Sequence, residues 1–92
     1  LSMCGKSLMI IDREADLSKA VDQALLGGFS FSGQCADSTS RILVHSHLRD
    51  EFMEKLHLAA KQVKIGASPQ TKMGALIDDG AVDRYIKFQG IA

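Results

Sequence analysis

Two cysteines, three histidines and one Gly-Lys-Ser tripeptide are the residues of this 92-residue chain whose chemistry could go beyond solvated charge. Cys35 lies in the Ser- and Gly-rich stretch Phe29 to Ser40, which reads as a loop following a helix. A cysteine there is a candidate nucleophile. The attacking species is the thiolate, so it needs a base or a cation beside it, and most free cysteines only fill space. His45 and His47 would share one strand face at a spacing of two if the strand ran that far, and His57 falls on a helix. A zinc site takes four ligands and only Cys4 and Cys35 could join the histidines. No ligand spacing is recognisable, so no metal site is expected and the histidines read as solvent-facing. Gly5-Lys6-Ser7 resembles the end of a phosphate-binding loop, in which glycine amides and a lysine cradle phosphates. The earlier glycine of that motif is absent, and the apolar strand follows the tripeptide where it should precede it. Nucleotide hydrolysis is therefore not expected.

The elements that must position these residues are marked by apolar spacing. Leu8-Met9-Ile10-Ile11 is a short continuous apolar run, the pattern of a parallel strand covered by helices on both faces. Asp16 is placed to cap a helix whose apolar face is Leu17, Ala20, Val21, Ala24 and Leu25, with Gly27-Gly28 ending or bending it. Arg41 to His45 reads as a second strand. Ser46 is expected to cap a second helix, with Leu48, Phe52, Leu56, Ala59 and Val63 inward and a Glu51–Lys55 pair outward. Gly66 to Gly74, with the single proline Pro69, is the one long connection. Asp78 or Asp79 then caps a third helix bearing Val82, Tyr85 and Ile86 on one side. The order strand, helix, strand, helix, loop, helix predicts an α/β fold with two parallel strands joined by a crossover. Two apolar strands with open edges make a poor sheet, so the pattern predicts weak autonomous stability and missing neighbours.

Composition narrows the function classes. Hydrophobic residues are 46% and charged residues 24%, an ordinary globular balance that excludes wholesale disorder. Eleven Lys and Arg against 11 Asp and Glu give zero formal net charge. That balance argues against nucleic-acid binding, which rests on excess cations, and against a polybasic membrane anchor. No apolar run approaches the length of a membrane-spanning helix, and Leu1–Ile11 has no signal-peptide pattern. Two cysteines do not make a disulfide scaffold, which points to a reducing setting such as the cytoplasm. A first residue of Leu1 in place of Met reads as a processed product or a piece of something longer.

The segments taken together resemble part of the catalytic domain of the aldehyde dehydrogenase superfamily. Leu1-Ser-Met-Cys-Gly-Lys-Ser7 is similar to the family's Leu-Glu-Leu-Gly-Gly-Lys-Ser, and Arg13-Glu-Ala-Asp-Leu-Ser-Lys-Ala-Val21 to its Asp-Ala-Asp-Leu-x-x-Ala-Val helix start. Gly33-Gln-Cys-Ala-Asp-Ser-Thr-Ser-Arg-Ile-Leu-Val44 resembles the nucleophile loop, Gly-Gln-x-Cys, and its following strand. Asp50 to Leu56 resembles the next helix, and Ile65-Gly66 with Met73-Gly-Ala-Leu-Ile77 the stretch Gly-Asp-Pro … Met-Gly-Pro-Leu-Ile. Five weak motifs in the correct order make a strong signal over essentially the whole chain. The Ser38-Thr-Ser-Arg41 run looks most like the branch acting on aromatic aldehydes such as salicylaldehyde. The implied fold is a partial three-layer parallel-sheet catalytic domain spanning residues 1–92, without a cofactor-binding domain.

The resemblance implies oxidation of an aldehyde to an acid with NAD or NADP. A cysteine thiolate adds to the carbonyl, hydride leaves to the nicotinamide, and a glutamate activates the water that releases the acid. Both protein positions are altered here. The nucleophile position falls on Ala36, whose methyl group cannot form a covalent intermediate, and the general-base position falls on Ser2, whose hydroxyl is no carboxylate. A family glycine is Cys4, the proline after Met-Gly is Ala75, and the connection from Gly66 to Met73 is shortened. Loss of a covalent nucleophile costs up to about 10⁶-fold, or about 8 kcal/mol of barrier. The family's dinucleotide loop and oxyanion asparagine would lie upstream of Leu1, and its ribose-binding glutamate downstream of Ala92. No residue here carries over as a cofactor ligand.

Three expectations result. The first is a truncated, catalytically inactive aldehyde dehydrogenase-like protein. The second is a piece of a longer active enzyme, in which a slip of the loop makes Cys35 a displaced nucleophile. The third is an interaction module whose unpaired strand edges add to the sheet of a full-length relative. The Ala36 backbone N–H would still stand where the family's oxyanion donor lies, but one donor is not catalysis.

Overall fold

The computed structural model describes residues 5–91. Strand β1 (Ser7–Ile11) leads to helix α1 (Leu17–Phe29), strand β2 (Thr39–Val44), helix α2 (Arg49–Lys61) and helix α3 (Asp79–Gln89), with short 3₁₀ turns at Ser30–Gly33 and Ser46–Leu48. β1 and β2 pair in parallel, with Met9 opposite Ile42, Ile10 opposite Leu43 and Ile11 opposite Val44, and a register irregularity between Ser7 and Leu8. His45 N–H extends the ladder to the Ile11 carbonyl at 2.9 Å. The α/β class, the element order and the parallel crossover are those the sequence pattern calls for.

Side chains alternate across a strand, so one sheet face takes Met9, Ile11, Ile42 and Val44. Against that face pack Leu17, Ala20, Val21 and Ala24 of α1 and Phe52 of α2. Phe52 is the best buried large side chain, at 1% exposure. A phenylalanine so placed contributes about 1.5–3 kcal/mol through burial. Leu48, Leu56 and Ala59 complete the α2 contribution, as the three- and four-residue spacing requires. The opposite sheet face carries Leu8, Ile10 and Leu43, which are 57%, 73% and 47% exposed. Burial of the strands on both faces is therefore not realised within these residues: two layers are present, a sheet and the helices on one side of it.

Three local expectations are corrected. Gly27-Gly28 does not end α1, which runs to Phe29. A Cβ at Gly27 would collide with the Thr39 hydroxyl, so glycine is there to admit β2 alongside the helix. The stretch Phe29 to Ser40 is not all loop, because it holds the end of α1, a 3₁₀ turn and the first two residues of β2. Ser46 does not cap α2: His45 Nδ1 accepts from His47 N–H at 3.2 Å to start a 3₁₀ turn, and Leu48 precedes α2 without a side-chain cap. The other caps stand where expected. The Asp16 carboxylate accepts from Lys19 N–H at 3.2 Å, and Asp78, not Asp79, accepts from Ala81 N–H at 2.7 Å. The Glu51–Lys55 pair closes at 3.0 Å on the exposed face of α2.

Candidate active site

The segment that carries Cys35 and Ala36 hangs between α1 and β2. The chain leaves α1 through Phe31 (φ 50°, ψ 33°) and Ser32 (φ 59°, ψ 32°), both in the left-handed region, followed by Gly33 at φ 73°. Glycine reaches that region without penalty, but a side chain as large as phenylalanine does not. Each such non-glycine residue costs on the order of 1–3 kcal/mol and persists only where its surroundings over-determine it. The surroundings here are hydrogen bonds. Ser32 Oγ donates to the Gly74 carbonyl at 2.6 Å. The Phe31 carbonyl accepts from both nitrogens of Gln34, the backbone N–H at 3.2 Å and Nε2 at 2.9 Å. Gln34 Oε1 accepts from Ile77 N–H at 2.8 Å.

Beyond Gln34 the chain makes a tight turn. Ser38 N–H donates to the Cys35 carbonyl at 3.1 Å, and Cys35 N–H donates to Ser38 Oγ at 3.2 Å. Cys35 is a half-buried free thiol; Ala36, next along the turn, is exposed. Cys35 borders two open clefts. One, of about 490 Å³, runs between the end of α1 and the start of the strands, past Leu8, Leu26, Gly27 and Thr39. The other, of about 760 Å³, is lined by Phe31, Gln34, Leu76, Ile77, Ala81 and Arg84.

Ser2 and Cys4 lie outside the described residues. Lys6 is exposed ahead of β1. The His45 and His47 rings meet edge-on with centroids 5.0 Å apart, and His57 is exposed on α2. Among the described residues no three His, Cys, Asp or Glu side chains converge. A helix N-terminus is the usual seat of a dinucleotide phosphate. In α1 and α3 the free N–H groups are capped by Asp16 and Asp78, and the first turn of α2 carries Asp50 and Glu51. Each of the three helix N-termini thus already carries a carboxylate.

The structure joins two motifs that stand far apart in sequence. Gly33-Gln34 and Met73 to Ile77 meet through Ser32 and Gln34, and the Gln34–Ile77 bond spans 43 residues. Sequence reasoning used Gln34 only to set a register and did not single out Ser32. Nothing in the residue string signals either tie, because the partners are backbone groups. The connection into this segment closes on itself: Gly66 N–H donates to the Met73 carbonyl at 3.0 Å, and Thr71 Oγ1 to the Gly66 carbonyl at 2.8 Å.

With this geometry in place, comparison with known proteins identifies the class. The model of the aldehyde dehydrogenase family matches residues 1–92, and the chain belongs to that family. It is similar to betaine aldehyde dehydrogenase of Mesorhizobium japonicum, 32% identical over 99% of this chain and 19% of the relative. A chloroplastic aminoaldehyde dehydrogenase of Arabidopsis thaliana is 36% identical over 96% of this chain and 18% of the relative. Among solved structures, betaine aldehyde dehydrogenase of Staphylococcus aureus in complex with NAD+ superposes with a TM-score of 0.94 at 34% identity, over 99% of this chain and 18% of that one. HpcC of Thermus thermophilus gives 0.87 at 29% identity, over 95% and 17%. The chain thus spans about a fifth of the length of the relatives it matches.

Proposed function

We propose that this chain is an aldehyde dehydrogenase-like protein that retains the scaffold of the nucleophile loop and does not by itself oxidise aldehydes. The observation that carries the reading is Ala36, which follows Gly33-Gln34-Cys35 in the turn where the family's attacking cysteine belongs. A methyl group has no lone pair to offer a carbonyl carbon. Ser2 at the general-base position supports the same reading, as does a half-buried Cys35 displaced by one residue. No cofactor residue is assigned in this chain. Residues 1–92 are read as part of a catalytic domain, and the cytoplasm is the setting proposed for a chain carrying a free thiol.

Incubation of the chain with an aldehyde and NAD or NADP is expected to give no cofactor reduction. Turnover that disappears in Cys35→Ala would overturn the reading and establish Cys35 as a displaced nucleophile. Reduction at the background rate in both proteins supports it.

A second reading follows from the uncovered sheet face. Leu8, Ile10 and Leu43 on that face, with Tyr85, Ile86 and Phe88 of α3, are all 47% or more exposed. Apolar surface of this kind favours association, and the outer strand edges offer unpaired backbone groups. We propose a full-length member of the family as the partner. Co-migration with such a protein in size-exclusion chromatography is the expected result, and a monodisperse monomer that binds nothing would reject the idea.

A further inference from the structure

We infer that the Gln34 side-chain amide is the latch that positions the Cys35–Ser38 turn, by bonding at once to the left-handed segment behind it and to the segment 74–77 in front. The amide faces two backbone groups of opposite kind, the Phe31 carbonyl at 2.9 Å and the Ile77 N–H at 2.8 Å. Only a group with a donor and an acceptor at its two ends satisfies both, and that requirement fixes which way the amide points. The Phe31 carbonyl meets Gln34 across a turn whose central residues, Ser32 (φ 59°) and Gly33 (φ 73°), are both left-handed. The side-chain bond ties the two ends of this left-handed turn together, and Ser32 Oγ on the Gly74 carbonyl joins the same two segments two residues earlier. The turn bearing Cys35 and Ala36 begins directly after the latched residue, and neither it nor the 3₁₀ segment before it contains a fully buried side chain, so the bond is a principal constraint on its position. Gln34 is a positioning residue in this sense, acting on the turn through the backbone on either side of it.

This inference rests on the family reading only in naming residues 33–36 as the nucleophile segment. Its test uses neither aldehyde nor cofactor, so the two can fail separately. In the whole chain, hydrogen exchange followed by NMR should show the Ile77 amide slowed about tenfold or more against its intrinsic rate, as expected of a formed hydrogen bond. In a Cys4→Ser background, reaction of Cys35 with dithiodipyridine reports the turn. Gln34→Leu should speed it about tenfold while sheet amides such as Leu43 keep their protection. With its carboxylate ionised, Gln34→Glu still accepts from Ile77 N–H but cannot donate to the Phe31 carbonyl, so its rate should fall between those of Gln34→Leu and the parent. It should return toward the parent rate when protonated, because the neutral acid again both donates and accepts. An Ile77 amide that exchanges at its intrinsic rate in the unmodified chain overturns the inference without any variant. So does a Cys35 rate that changes less than about twofold in a folded Gln34→Leu protein.

Discussion

The first two-thirds of the described chain and the last third are held by different forces. From β1 to α2, six buried apolar residues close a core between a sheet face and two helices. From Gln62 to Ile91 no side chain is buried, and α3 exposes Tyr85, Ile86 and Phe88 at about 60%. The second region meets the first at the Ser32 and Gln34 bonds to residues 74 and 77. Burial is cooperative and non-directional, whereas a hydrogen bond contributes only about 1 kcal/mol net and demands one geometry. The core region can thus be defined by its own residues. The second region has an amphipathic helix whose apolar side is left exposed among the described residues. The Gly33–Ser38 segment sits on the seam, where polar bonds set the backbone.

The comparison can be broken most decisively at Phe52. Truncation of a buried phenylalanine costs about 3–5 kcal/mol, and a domain of this size has little more to lose. Phe52→Ala is expected to abolish any cooperative thermal transition seen by circular dichroism. A transition that survives with a small shift would mean that the cluster around Phe52 does not hold the first region together.

A smaller effect is expected at Gly27. Alanine would gain about 1 kcal/mol of helix propensity, but overpacking against Thr39 costs about 1–3 kcal/mol. The net result for Gly27→Ala is a loss of about 1 kcal/mol, with relief when Thr39→Ala is added; urea denaturation of the single and double variants measures both. A Gly27→Ala protein more stable than the parent would show that β2 does not crowd α1.

The two helix caps sharpen the contrast with the least perturbation. Asp16→Ala should lower core stability by about 1 kcal/mol, because α1 contributes most of the buried side chains. Asp78→Ala removes an equivalent cap but should change the core transition by less than about 0.5 kcal/mol, while fraying α3 in hydrogen exchange. Equal effects of the two substitutions on the melting curve would erase the distinction between the regions.

Much of the fold is legible from local patterns. The apolar run at Leu8–Ile11, the three- and four-residue spacing in α1 and α2, and the carboxylates Asp16 and Asp78 each signal their element through their own neighbours. Two consecutive glycines ordinarily end or bend a helix, but here α1 runs on to Phe29 and Gly27 instead admits a strand residue twelve positions further on. Serine is a good cap in general, but here a 3₁₀ turn capped by His45 intervenes and α2 starts after Leu48 without a side-chain cap. The candidate site was legible as a register, with Ala36 and Cys35 in their order, and not as a geometry.

The residue string alone determined the family and the order of strands and helices, since each depends on side-chain type and local spacing. Only the tertiary structure decided which sheet face is buried, that Phe31 and Ser32 turn left-handed, and that Gln34 meets Ile77 across 43 residues. Those outcomes depend on backbone groups brought together from distant parts of the chain, and backbone groups are the same at every position except proline.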